Sequence, residues 1–472
     1  MKKLIIKPLV AVLALALPCA VFGQIDNAEL LKELQDLKAK VKALEDKINA
    51  VPAAAAPAAA LVADEHFDQT VTDVNKLKLK VEQMETTHED SGFAGIKISG
   101  YADPTYIYNQ RRRTNSFVFL NNFGGSSDGL GNNVYGYDNS FFGSIFLHFE
   151  KEFESGAKGM IEIMPKKGYD DANNNIINQA IFSLPLKPGI KLFAGQVGSW
   201  QGYEYQAATL RKNITYNLLY DYAEFTFMTG AGLEITPPGK LSGKIMIGNP
   251  ATLTRNYSNR STGVHGRLDY ALNDFAGVGG TFYRGKLFDN NLTNVQADFY
   301  NNKGDWSFAG QLDYGKWDNA ATNGKNAEWL GASLLAGYKF TPRTEGVLRA
   351  DYIKNSKNGG GMPGNVFRAG FVPFDVNGDG TIDPDEGIST LNDPFSGFGP
   401  EIDTATGLPV NADKGANRYA LTATFNYLLD KNVTLRAEYR LDGSSLRTFL
   451  NTKDGSYSKT NNLLGLQLIY FF

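Results

Sequence analysis

Apolar and polar residues alternate along most of the chain after residue 91. In the segment 433–441 every second residue is apolar, and Thr434, Arg436, Glu438 and Arg440 fill the positions between. Successive side chains of a β-strand point to opposite faces, so this period of two predicts strands with one apolar and one polar face. We identify sixteen such segments, at residues 93–108, 140–152, 157–165, 176–184, 190–198, 223–235, 240–249, 262–272, 275–286, 292–301, 304–315, 327–340, 344–355, 417–429, 432–443 and 458–472.

The connections between these segments alternate in length. Short ones carry turn residues, as in Ser155-Gly156 and Pro188-Gly189. The long ones are rich in Gly and Asn and span 109–139, 166–175, 199–222, 250–261, 287–291, 316–326, 356–416 and 444–457. Short turns at one end and longer loops at the other are typical of outer-membrane barrels. The pattern predicts an all-β membrane protein, an about 16-stranded antiparallel up-and-down transmembrane β-barrel over residues 92–472.

Ahead of the predicted barrel, the apolar spacing changes to alternating steps of four and three. Leu30, Leu34, Leu37, Val41 and Leu44 follow this spacing, with charged residues between them. A heptad seam of this kind predicts a short α-helical coiled coil, here over residues 24–51. The Ala/Pro-rich segment 52–63 cannot continue a helix and is a linker. A second seam predicts another coiled-coil segment at 64–91.

The first 23 residues are typical of a secretory signal peptide. Three lysines, Lys2, Lys3 and Lys7, precede an apolar run at 9–17 and a small-residue exit that ends at Gly23. A lipoprotein signal centred on Cys19 is the alternative. Cys19 is the one cysteine of the sequence, so cleavage after Gly23 leaves no disulfide, thiolate metal ligand or thiol nucleophile.

Composition narrows the functional classes. The formal net charge is −3, which gives no indication of nucleic-acid binding. Four histidines, no cysteine after the signal and no Gly-x-Ser-x-Gly elbow leave little from which to build a catalytic site. We therefore expect a protein that is not an enzyme.

Several segments resemble known outer-membrane proteins. The last predicted strand ends on Phe472 with Tyr470 two residues earlier, which resembles the C-terminal signal read by the barrel-assembly machinery. A periplasmic coiled coil followed by a barrel resembles the layout of sucrose-type and phosphate-selective porins. The stretches GQVGSWQGYE (195–204), ITYNLLY (214–220), ANRYA (416–420) and LRAEYRLD (435–442) are similar to a proteobacterial family of porin-like proteins of unknown function. This resemblance covers most of residues 93–472, and it implies a porin barrel without naming a solute.

From these features we expect an outer-membrane porin that forms a water-filled channel for the diffusion of small hydrophilic solutes or ions. The expected location is the outer membrane of a Gram-negative bacterium, with the coiled coil in the periplasm. The expected partners are outer-membrane lipid, the barrel-assembly machinery and two further copies in a homotrimer. The alternative is a non-transporting structural protein whose barrel anchors the periplasmic coiled coil. An enzyme on the rim of the barrel is a third hypothesis.

Charged residues that fall on polar strand faces, or in the connection 199–222, are candidates to line the pore. General porins fold the corresponding loop inward, and mixed charges around such a constriction set ion preference. The loop candidates are Glu204, Arg211, Lys212 and Asp221. The strand candidates are Arg267, Asp269, Arg349, Asp351, Arg436, Glu438 and Arg440.

The longest connection contains a calcium-loop motif at 375–386. Its twelve residues match the spacing in which side-chain oxygens, one carbonyl and a final bidentate glutamate surround the ion, with Gly380 at the sharp turn. The predicted ligands are Asp375, Asn377, Asp379, Thr381 through its carbonyl, Asp383 and Glu386. We expect a structural Ca²⁺ that orders this extracellular loop.

Overall fold

A computed structural model describes residues 95–111, 113–120, 143–164, 176–225, 227–250, 261–363, 371–373, 387–389, 398–403 and 409–472. The predicted signal peptide, both coiled-coil segments, the linker and the calcium motif at 375–386 lie outside these residues. Within the described part of the chain, no helix is both long enough and apolar enough to span a membrane.

Sixteen strands form the barrel. Two of them are interrupted: β1 comprises Ile96–Ala102 and Thr105–Asn109, and β2 comprises Thr114–Val118 and Ile145–Glu152. The others are β3 Lys158–Ile163, β4 Ile177–Lys187, β5 Ile190–Gly198, β6 Phe227–Ile235, β7 Leu241–Pro250, β8 Gly263–Asn273, β9 Ala276–Leu287, β10 Asn290–Lys303, β11 Trp306–Trp317, β12 Ala327–Thr341, β13 Thr344–Lys354, β14 Arg418–Asp430, β15 Val433–Ser444 and β16 Thr460–Phe471. Among the described residues, one short helix, α1, spans Leu218–Tyr222. The same residues include two ribbons in the loops: Phe371–Pro373 pairs with Gly387–Ser389, and Phe449–Leu450 pairs with Tyr457–Ser458.

The sheet closes on itself. Consecutive strands pair antiparallel, and β16 pairs with β1 through partners such as Tyr101 with Phe471 and Tyr106 with Leu466. The predicted sixteen-stranded antiparallel barrel is therefore confirmed. Closure gives every strand two neighbours, which removes the unpaired edges that a membrane would not tolerate.

Two of the predicted long connections differ from the structure. Residues 114–118, predicted as part of a loop, form a strand segment that pairs with Thr105–Asn109. The connection 287–291, predicted as one of the long loops, is a two-residue turn in which Leu287 pairs with Asn290. Both central residues of that turn, Phe288 and Asp289, have positive φ. Two positive φ angles characterise the type I′ turn, whose twist matches that of the flanking strands.

The chain divides into two compact units. The described residues of the larger unit are those between 100 and 148 and between 153 and 472. The described residues of the smaller unit are 95–99 and 149–152, where Lys97 and Glu150 form an ion pair of 3.7 Å.

The outer face of the barrel is apolar with aromatic residues towards both ends. On β11, Trp306, Phe308, Leu312 and Tyr314 all point outward and are at least a third exposed. Trp306 and Tyr314 are eight residues apart, roughly 26 Å along a strand. An apolar band of about this height between two aromatic girdles is what a transmembrane barrel presents to lipid.

A row of glycines crosses the inner wall. Gly195 on β5, Gly230 on β6, Gly248 on β7, Gly263 on β8 and Gly285 on β9 are consecutive register partners. A Cβ added to the first three would lie 2.0–2.5 Å from a carbonyl oxygen of a neighbouring strand. Only glycine therefore allows the strands to coil as they do in this part of the wall.

Candidate functional site: the inner loop and the lumen

The connection between β5 and β6 folds into the barrel, and we call its described part, residues 199–225, the inner loop. It leaves β5 with Trp200, whose ring stacks on His265 of β8 at 5.0 Å. Gln201 then donates to Asn294 of β10 at 2.7 Å. The inner loop therefore contacts β8 and β10 within a few residues of its start.

The middle of the inner loop is held by a basic side chain of β15. Arg436 donates to the carbonyl oxygens of Ala208 at 2.9 Å and Arg211 at 2.5 Å. On the other side, the Ala208 N–H donates to the Tyr101 hydroxyl of β1 at 3.2 Å. Backbone groups of a loop that leaves water need new partners, and the strand side chains supply them here.

An acidic side chain of β15 holds the next turn of the inner loop. Glu438 accepts hydrogen bonds from the backbone N–H groups of Ile214, at 2.6 Å, and Thr215, at 3.0 Å. The Thr215 and Thr424 hydroxyls donate to the same carboxylate at 2.6 and 2.7 Å. Four donors thus surround one carboxylate, which compensates for the water that it loses on burial.

Arg349 and Arg440 hold the carbonyl oxygens of the same turn. Arg349 of β13 donates to the carbonyls of Thr215 at 2.8 Å and Tyr216 at 2.7 Å, and it also contacts Glu204 at 3.3 Å and Asp351 at 3.2 Å. The side chain of Arg349 is fully buried. A buried charge of this kind requires paired partners, and both carboxylates provide them.

Arg440 of β15 adds a third anchor at the same place. It donates to the Tyr216 carbonyl at 2.7 Å and pairs with Asp442 at 3.0 Å. Both of these charged side chains are fully buried. The charged ladder of β13 and β15 is therefore occupied by the inner loop.

The inner loop returns through α1. Asn217 caps this helix by accepting a hydrogen bond from the Tyr220 N–H at 2.7 Å. At the end of the loop, the Phe225 N–H donates to Gln201 at 2.9 Å, which ties the two ends together. Nearby, Gln311 donates a hydrogen bond to Glu224, and both side chains are buried.

An apolar cluster fills the lumen between α1 and the adjacent strands. Leu219 and Tyr222 of α1 are fully buried in it, together with Trp317 of β11 and Trp329 of β12. Tyr222 also packs against Phe398 with ring centroids 4.4 Å apart. Water is therefore excluded from this side of the lumen.

Burial changes the pKa values of inner-loop side chains, among them Glu224, Glu204 and Lys212. Desolvation raises the pKa of Glu224 well above its usual value, although the hydrogen bond from Gln311 opposes this change. Desolvation also raises the pKa of Glu204, against the effect of the neighbouring Arg349. The pKa of Lys212 falls to about 8 for the same reason, although Glu345 opposes the change. Desolvation thus disfavours the charged form of Glu224.

A cavity of about 390 Å³ lies between the inner loop and the adjacent part of the barrel wall. Its lining is partly polar and partly aromatic: Phe146, Glu162, Gln179, Ile181, Ser183, Phe193, Val197, Gly198, Ser199, Trp200, Glu204, Tyr205, Gln206, Ala207, Leu210, Tyr220, Glu234 and Lys244. The wall residues of this set belong to β2 to β7. The wall of this cavity therefore belongs to other strands than those that carry the charged ladder.

The predicted pore-lining residues separate into two groups. Glu204 lines the cavity. The other ten candidates do not line the cavity; they lie in the inner loop or on β8, β13 and β15. They are Arg211, Lys212, Asp221, Arg267, Asp269, Arg349, Asp351, Arg436, Glu438 and Arg440. Several of these ten hold the inner loop; Arg267, for example, donates to the Trp200 carbonyl at 2.8 Å while it pairs with Asp269 at 2.7 Å and Asp298 at 2.8 Å.

Three charged cavity residues were missed by the sequence reasoning. Glu162, Glu234 and Lys244 lie on β3, β6 and β7. Their polar positions follow the same alternation that selected Arg349 and Arg436, so the alternation itself was a sufficient signal that they face the lumen. What the pattern could not show was which wall the inner loop would cover.

The predicted assembly residues lie on the outer face. Tyr470 and Phe472 are about half exposed, and the Phe472 backbone exchanges two 3.0 Å hydrogen bonds with Gly100. Recognition of these residues by the barrel-assembly machinery stays a prediction.

The chain resembles solved outer-membrane proteins. The outer-membrane channel DcaP of Acinetobacter baumannii matches with 12% identity over 80% of this chain and 98% of that chain, with a TM-score of 0.48. An anion-selective porin from Comamonas acidovorans matches with 10% identity over 80% and 99%, with a TM-score of 0.47. OmpF of Salmonella typhi matches with 13% identity over 80% and 97%, with a TM-score of 0.46.

No protein of curated function matches the sequence. One family model matches it almost end to end, in two overlapping segments at residues 1–286 and 275–472. Because the match covers both the barrel and the region that precedes it, the chain belongs to the DUF3138 family, described as a protein of unknown function.

Proposed function

We propose that this protein is an outer-membrane channel of the porin type, through which small hydrophilic solutes or ions diffuse. The observation that carries the proposal is the inner loop: a sixteen-stranded barrel with a lipid-compatible outer face holds a long segment inside its lumen, yet a cavity of about 390 Å³ remains beside it. A barrel that served only as an anchor would need neither feature. A constriction that leaves space is the arrangement that filters solutes.

The solute path that we propose runs along β2 to β7. The ladder on β13 and β15 is buried, and its residues Arg349, Arg436 and Glu438 form hydrogen bonds with the inner loop. Its function is therefore to hold the constriction in place, and Arg349, Arg436 and Glu438 act as positioning residues. The side chains that meet a solute are those of the cavity wall.

The main test is conductance of the purified full-length protein in planar lipid bilayers. Stepwise current increments are expected. Persistent silence of a barrel that is folded, as judged by heat-modifiable migration on gels, would instead support the structural protein that anchors a periplasmic coiled coil.

A matched pair of serines tests the path. Ser183 lines the cavity, whereas Ser333 is buried and bonded to Tyr203 at 2.6 Å. In a Cys19→Ser background, a cationic methanethiosulfonate reagent should change the conductance of Ser183→Cys and leave that of Ser333→Cys unchanged. Equal sensitivity of both variants would place the path elsewhere in the lumen.

Two further features belong to the proposal. We propose a homotrimer, which cross-linking in native outer membranes followed by gel electrophoresis would test. We also propose a structural Ca²⁺ bound by the motif 375–386, whose flanking segments Phe371–Pro373 and Gly387–Ser389 pair as a ribbon. The two flanks thus lie side by side, and this supports the proposal because a compact twelve-residue loop starts and ends at neighbouring points.

A further inference from the structure

The cavity holds a positively charged amino group between a carboxylate and an indole ring. Lys244 Nζ lies 3.5 Å from the Glu234 carboxylate and 5.8 Å from the centre of the Trp200 ring. Carboxylates and indole faces are both groups by which proteins bind ammonium ions. The Lys244 ammonium group thus occupies the position between Glu234 and Trp200 that the ammonium group of a solute would take.

This internal ammonium is weakly held. The side chains of Lys244 and Glu234 remain 39% and 32% exposed. Ion pairs with this exposure contribute little to stability, because solvent screens them and because ordering two long side chains costs entropy. A second ammonium group entering the cavity can therefore exchange with Lys244 at small cost.

A further carboxylate lies on the same cavity wall. Glu162 accepts hydrogen bonds from the side-chain amides of Asn178 at 3.1 Å and Gln179 at 2.5 Å, and it lies 3.3 Å from His148. No lysine or arginine pairs with Glu162 among the described residues. By contrast, the third carboxylate, Glu204, is bound by Arg349. Glu162 is therefore the acidic group that an entering cation would meet.

The rest of the cavity lining supplies apolar contact. Aromatic and aliphatic side chains surround the carboxylates: Phe146, Ile181, Phe193, Val197, Tyr205, Leu210 and Tyr220. A volume of about 390 Å³ accommodates a small organic molecule but also requires close contact with this lining. A solute with a cationic head and an apolar or aromatic body satisfies both parts of the cavity.

We propose that the channel selects small organic cations that carry an ammonium group on an apolar body, with Glu162, Glu234 and Trp200 as the recognising residues and Lys244 as a tethered competitor. The inference rests on the proposed channel function and specifies its solute class. Arg267 of β8 does not oppose it, because its guanidinium is already paired with Asp269 and Asp298.

The experiment compares four probes on the full-length protein in planar bilayers. They are 2-phenylethylammonium, the neutral 2-phenylethanol, the anionic phenylacetate and methylammonium, which lacks the ring. Each probe is titrated until it changes the KCl current. The concentration needed should be about fivefold to thirtyfold lower for 2-phenylethylammonium than for each of the other three probes. Equal or stronger action of phenylacetate would overturn the proposal.

Variants assign the effect to residues. Lys244→Met removes the tethered competitor and should strengthen the action of 2-phenylethylammonium, whereas Lys244→Arg keeps a cation there and should not. Glu162→Gln should weaken the action several-fold. The matched control is Glu328→Gln on β12, which removes a carboxylate paired with Lys357 outside the cavity and should change nothing. Unchanged probe action in both Lys244→Met and Glu162→Gln would refute the assignment.

Failure of the channel and failure of the solute class give different results. If bilayers stay silent, binding of the same four probes to the folded, detergent-solubilised protein is measured by calorimetry. Binding ranked as above would support the site in the absence of transport, whereas absence of preferential ammonium binding would overturn it. Conductance without any ammonium preference would leave the channel standing and remove this inference.

Discussion

Replacing Arg349 with Met should release the inner loop from the barrel wall. The substitution keeps much of the side-chain volume but removes the donors to the Thr215 and Tyr216 carbonyls and leaves the carboxylates of Glu204 and Asp351 without their cation. Breaking a buried ion pair by removing one partner costs about 3–5 kcal/mol. The opening equilibrium of the inner loop should therefore rise roughly a hundredfold to a few thousandfold, since each 1.4 kcal/mol is a factor of ten.

Thiol modification measures that opening. Ala223 is buried at the end of α1, so a cysteine placed there in a Cys19→Ser background should react with a small methanethiosulfonate only when the inner loop opens. The reaction rate should rise in Arg349→Met by roughly the factor above, up to the rate of a free thiol. The barrel should stay folded, because its strand pairing does not depend on the inner loop. Arg343→Met, at an exposed turn, is the control. Equal rates in the two variants would show that Arg349 does not hold the loop.

Three further predictions concern other parts of the chain. Burial raises the pKa of Glu224, so the contribution of this side chain to stability is largest at low pH and is lost as the pH rises through the raised pKa. The melting temperature of Glu224→Gln should therefore be equal to or above that of the parent at pH 9. A larger deficit in melting temperature at pH 9 than at pH 5 would contradict this. Chelation of calcium should expose the segment 356–416 to limited proteolysis without unfolding the barrel, and Glu386→Ala should reproduce the effect; identical cleavage with calcium, with chelator and in the variant would remove the metal assignment. Leu37→Asp combined with Leu44→Asp should abolish self-association of the isolated segment 24–91 in sedimentation experiments, and a wild-type segment that is already monomeric would refute the coiled-coil interpretation.

The barrel follows from the sequence because its determinants are local. Each strand needs only a period of two and a turn at each end, and both are visible within about ten residues. The prediction reached sixteen strands with most boundaries within a few residues. It missed the segment 114–118, whose partner is the end of β1. It also missed the tight turn at Phe288 and Asp289, because both residues have positive φ, a conformation that a residue such as phenylalanine does not predict.

The lumen, by contrast, was decided only by the tertiary structure. Alternation assigns Arg349 and Lys244 to the same kind of lumen-facing position, because it reports which face of a strand a residue occupies and nothing about what covers that face. The inner loop crosses to β10–β15 and takes up the hydrogen bonds of Arg349, Arg436 and Glu438. Lys244 stays in the cavity, beside Glu234. Contacts between residues more than a hundred positions apart, such as Glu438 with Ile214, leave no pattern in the local sequence. The sequence by itself therefore determined the wall of the barrel, whereas only the tertiary structure determined which part of that wall the inner loop leaves open to a solute.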